Sequence, residues 1–74
     1  MNNIQFDQEI YKRISPREME VAKAASEGLS LKATADRMGI SKATVQNYRA
    51  HIFGKLGCKN ISEAITLLIK GGMI

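Results

Sequence analysis

Four times in this chain a residue that caps a helix start stands ahead of a helix-forming run: Ser15, Ser30, Ser41 and Asn60. The ends are marked as plainly, by Gly28, Gly39 and the pair Gly71-Gly72. Punctuation this dense leaves room only for helices joined by tight turns. No stretch alternates apolar and polar residues as a half-buried strand would. The fold class expected is therefore all-α.

The first helix opens at Ser15-Pro16-Arg17-Glu18. Ser15 can accept from the amide three residues on, Glu18 can return to the amide of Ser15, and Pro16 suits the first helical position. Met19, Val21, Ala22, Ala24 and Ala25 then supply a narrow apolar stripe. A second helix is predicted from about Leu31 to Met38, with Ala35 and Met38 facing inward. Gly39 permits a left-handed turn, Ile40 can plug inward, and Ser41 starts a third helix from Lys42 to about Leu56. Helix, a glycine turn of about three residues, and helix form the helix-turn-helix pattern. A fourth helix begins at Asn60, with Glu63 completing another capping box, and ends near Lys70. Residues 1–13 read as an N-terminal segment, able to form a short helix and to dock Ile4, Phe6, Ile10 and Tyr11, with Ile14, onto the body at 14–74.

Charge is unevenly placed. The chain carries 11 basic and 7 acidic residues, a formal +4. From Arg37 to Ser62 there is no acid, and Arg37, Lys42, Arg49, Lys55 and Lys59 supply +5, leaving −1 for the remainder. A positive field confined to one part of a small domain suits a polyanion. At 100° per residue, Val45, Tyr48, Ile52 and Leu56 share the core side of the third helix. Ala43, Gln46, Asn47, Ala50 and Gly54 face outward between two rims, one with Lys42 and Arg49, the other with Thr44, His51 and Lys55. A slim centre bearing amides can approach base edges in a major groove, while cations and hydroxyls at the margins meet phosphates. Gly54 costs about 1 kcal/mol relative to Ala inside a helix, which points to a close approach or a bend. His51 reads as a rim residue rather than a pH switch.

The fourth helix, Ile61 to Ile69, has more apolar residues than one face can hide. Ala64, Ile65, Leu68 and Ile69 are assigned to the core side. The surplus calls for a partner, most simply a second copy, and a dimer interface is expected at Ile61, Ala64, Thr66 and Leu67.

Together these residues resemble the LuxR-type helix-turn-helix domain, the effector of many bacterial response regulators. Ile14-Ser15-Pro16-Arg17-Glu18 resembles its opening element, and Gly28-Leu29-Ser30-Leu31-Lys32 its first turn. Ile40-Ser41-Lys42-Ala43-Thr44-Val45 is similar to the second turn and the start of the recognition helix, and Lys55-Leu56-Gly57 to its end. The resemblance implies a four-helix bundle, base reading at Gln46, Asn47, Ala50 and Arg49, and phosphate binding at Lys32, Ser41, Lys42, Thr44 and Lys55. It further implies double-stranded DNA as partner and a homodimer through the fourth helix, similar to stand-alone GerE-type regulators. Gln46 stands where many members have Lys or Arg, Tyr48 where they have His, and Ala33-Thr34 where they have Glu-Ile.

Other classes find little support. One His, one Cys and no clustered carboxylates supply no catalytic or metal-binding constellation, and no cofactor is expected. Lone Cys58 fits a reducing cytoplasm, with a structural role, and the resemblance to a DNA-binding effector implies nucleoid association. No apolar run is long enough to cross a bilayer, and no membrane role is expected. The alternative is a protein-interaction adaptor that uses the same fold to bind RNA polymerase or another regulator.

Overall fold

The computed structural model of the chain describes residues 12–74. Over that span four helices follow one another: α1 (Pro16–Ser26), α2 (Leu31–Met38), α3 (Lys42–Leu56) and α4 (Ile61–Lys70). No strand occurs among the described residues, so the expected all-α, four-helix architecture is the one observed. The docking expected of Ile4, Phe6, Ile10 and Tyr11 lies outside the described residues, whereas Ile14 is buried.

Each start is held as its cap residue dictates. Ser15 Oγ accepts from the Glu18 amide at 3.1 Å, and Glu18 Oε1 accepts from the Ser15 amide at 2.9 Å, closing the capping box. Ser30 and Ser41 accept from the amides of Ala33 and Thr44. At α4 the reciprocity shifts by one residue: Asn60 Oδ1 accepts from the Glu63 amide, but Glu63 Oε1 accepts from Lys59 rather than Asn60. Between α2 and α3, Gly39 takes φ +70°, and its amide and that of Ile40 close the last turn of α2 on Asp36 and Ala35. That turn sets the angle at which α3 leaves α2.

Two apolar clusters hold α3 from either end. Around its first half, Val21, Ala35 and Val45 are buried, with Leu31, Met38, Ile40 and Tyr48 packed against them. Around its second half, Ile14, Ala22, Ile52, Ala64 and Leu68 are buried, with Met19, Phe53, Leu56, Cys58 and Ile61 alongside. Thr34 is fully buried without loss, because its hydroxyl donates to Ser30 O at 2.8 Å.

Three expectations for α4 need correction. Ile69, assigned to the core side, is 56% exposed, and Ile61, assigned outside, packs against the core. The buried line of α4 runs Ile61, Ala64, Leu68. That is an i, i+3, i+7 stripe, and Ile69 lies a further 100° round the helix. Ala64 is fully buried in the monomer, so it cannot touch a second copy as expected; the side chain is filled in by Ile14, Ala22 and Ile52.

Candidate nucleic-acid interface

The start of α3 is anchored in its own turn. Ser41 Oγ lies 2.9 Å from Thr44 Oγ1 while accepting from the Thr44 amide, so the two hydroxyls form one fixed polar corner. Val45 and Ile52, both without exposed surface, pin the inner side against α1, α2 and α4. The opposite side is thereby turned to solvent: Ala43, Gln46, Asn47, Ala50 and Gly54 are all exposed. A Cβ built on Gly54 meets nothing within 4 Å, so nothing inside this chain demands glycine there.

The margins are less uniform than sequence spacing suggests. Lys42 is exposed at the head of α3, and among the described residues no carboxylate lies within ion-pair distance of it, of Arg49 or of Lys59. Lys32, at the head of α2, pairs with Asp36 at 3.0 Å, but both side chains are about two-thirds or more exposed. Such pairs are worth at most about 1 kcal/mol, and a phosphate can compete for the ammonium. Arg49 is only half-exposed, and its Nε is buried with no hydrogen-bond partner. It stands nearer the core than the expected base-reading position, on the flank of the helix rather than on its outward face.

The largest departure is at Lys55. Its Nζ donates to Glu18 Oε1 and to the carbonyl of Arg13, each at 2.8 Å, and its side chain is 33% exposed. Glu18 is buried, only 4% exposed, and also lies 3.6 Å, through Oε2, from His51 Nδ1. Burial alone would raise the Glu18 carboxyl, but the hydrogen bonds from Lys55 and the Ser15 amide and the charges of Lys55 and His51 outweigh it and hold the group below its ordinary value. The acid-free segment of the sequence is thus not acid-free in space: the fold inserts Glu18 behind one rim, and Glu27 pairs with Arg37 at 2.9 Å. Glu18 is the residue that sequence reasoning missed. The capping box explains its place but says nothing of a contact 37 positions away.

A second surface lies beside α4. Gly57, Cys58, Ser62, Glu63, Thr66 and Leu67 line an open, mainly apolar groove that includes two of the expected interface residues. Burial, together with the Glu63 carboxylate, pushes the Cys58 thiol up, away from the reactive thiolate form. No three metal-binding side chains cluster among the described residues, and no helix there is long and apolar enough to cross a membrane.

Comparison with known proteins converges on one group. Residues 12–68 match the family model described as "GerE: Bacterial regulatory proteins, luxR family". The chain is 36% identical over 61 residues to the transcriptional regulatory protein FixJ of Bradyrhizobium diazoefficiens, covering 82% of this chain and 30% of that protein. It is 32% identical to the transcriptional regulatory protein YdfI of Bacillus subtilis, over all of this chain and 37% of the relative. The crystal structure of the response regulator ChrA, of a heme-sensing two-component system, superposes with a TM-score of 0.78 at 38% identity, over 82% of this chain and 30% of that one. The chain thus spans about a third of the length of these relatives.

Proposed function

Because the chain belongs to the luxR family of bacterial regulatory proteins, we propose that it is a transcriptional regulator that binds double-stranded DNA sequence-specifically through α3, as a homodimer. The observation that carries this reading is the outward face of α3: slim, uncharged and amide-bearing, between the exposed cation Lys42 and the polar corner of Ser41 and Thr44. Gln46 and Asn47 read base edges, each able to bond N6 and N7 of an adenine together, and Ala50 packs on a thymine methyl. Lys32, Ser41, Lys42 and Thr44 hold phosphates. The first turns of α2 and α3 carry no acid, so the positive ends of both helix dipoles add to the attraction. Arg49, half-buried, supports the adjoining backbone rather than a base.

Thr66 and Leu67, at the groove beside α4, supply the contact between copies. A two-fold pair presents its α3 helices to inverted half-sites about one helical turn apart. The test is selection of bound fragments from a genomic library by the wild-type protein and by Gln46→Ala with Asn47→Ala. A shared inverted motif that the double variant no longer recovers is the expected result; the same motif from both proteins removes Gln46 and Asn47 as readers.

A further inference from the structure

On the rim of α3, His51 and Lys55 are one turn apart and share a single carboxylate. Glu18 takes Lys55 Nζ on Oε1 at 2.8 Å and faces His51 Nδ1 with Oε2 at 3.6 Å. Lys55 spends a second donor on the carbonyl of Arg13 and is two-thirds covered. The His51 side chain, by contrast, is 62% exposed. Behind it stands a buried anion. In front, among the described residues, Nε2 has no hydrogen-bond partner.

Resting on the DNA-binding reading above, we propose that His51, not Lys55, is the phosphate ligand on this rim, with Glu18 as the positioning residue that holds Nδ1 inward and leaves Nε2 for the DNA backbone. A family resemblance assigns this role to the lysine; the geometry moves it one turn back. Lys55 then ties the end of α3 to the start of α1.

The arrangement has a chemical consequence. In the complex the imidazole lies between the Glu18 carboxylate and a phosphate, and two flanking anions favour the imidazolium. Among the described residues, the charged groups that face it are Glu18 from α1 and, one turn along α3, Lys55, which opposes a second positive charge but is already paired with that carboxylate and with the Arg13 carbonyl. A phosphate contact through this ring therefore predicts that affinity rises as pH falls through the range in which an imidazole changes charge.

The experiment measures affinity for a short mixed-sequence duplex at low ionic strength, from about pH 8 to about pH 6. Wild type should tighten about three- to tenfold more across that range than His51→Gln, the size set by uptake of up to one proton. His51→Lys, charged throughout, should bind at the upper pH about as wild type does at the lower. Glu18→Gln keeps a side chain that capping boxes accept, and it should flatten the wild-type response. Should that variant fail to fold, the two exposed His51 substitutions still decide. Equal pH responses in wild type and His51→Gln overturn the proposal while leaving DNA binding intact. Absence of binding at every pH sinks the underlying reading, and this one with it.

Discussion

Helices α1 and α4 each carry an acid in the first turn, Glu18 and Glu63, whereas α2 and α3 carry none and place Lys32 and Lys42 there instead. The first pair obeys the helix dipole and the second opposes it, at a cost of roughly 0.3–1 kcal/mol per misplaced charge. The apolar surplus is divided the same way. Ile69 and Met73 are exposed on and just after α4, while the outward face of α3 presents only small and amide-bearing side chains. Local rules are followed where a helix only has to fold, and set aside where an anion from outside would complete it. On the function proposed above, the framing helices build the domain and join its copies, while the inner pair addresses the polyanion.

Four substitutions press on that division. The largest effect is expected from Leu67→Glu, which places a charge in the groove beside α4. It should give a monomer by sedimentation and lower affinity for paired half-sites by about 10²- to 10⁴-fold, the effective-concentration advantage of a linked second site. Affinity for a single half-site should stay as it was. A loss there too would mean that α4 is not a separate device.

A matched pair comes next. Lys55→Met strands the buried Glu18 carboxylate and should lower unfolding free energy by about 1–3 kcal/mol, read from urea titration. Lys42→Met removes an exposed charge from the wrong end of a dipole. It should leave stability equal or slightly higher yet reduce the slope of log affinity against log salt by about one. If the two lysines behaved alike, the contrast between the rims would disappear.

The smallest effect belongs to Gly54→Ala. With nothing within 4 Å of a Cβ there, the helix should gain about 1 kcal/mol. If bound DNA is what requires the glycine, affinity falls in the same variant; a gain in stability with unchanged affinity would free Gly54 from any role.

Much of this architecture is legible in the sequence because the helix starts are written locally. Ser30, Gly39 and Ser41 bound α2 and α3 where the pattern places them, since a cap and its amide are three residues apart. The outward face of α3 follows for the same reason: Val45 and Ile52 fix the inner side, and a helix has only one opposite side. What stays hidden depends on distant partners. Glu18 meets Lys55 and His51 only because α1 crosses the end of α3, and no spacing encodes that crossing. Arg49 reads as a rim cation, yet its Nε is buried. On α4, apolar all the way from Ile61 to Ile69 save for a few positions, periodicity allows more than one buried arc. Packing against Ile14 and Ile52 selects the arc that leaves Ile69 outside.

Whether the face of α3 recognises a polyanion is read from the salt dependence of duplex binding. With about six phosphates neutralised, affinity should fall by roughly three powers of ten between about 50 and 200 mM monovalent salt. A protein that ignores duplex DNA at the lower concentration, or binds it with the same strength at both, does not use α3 to recognise a polyanion.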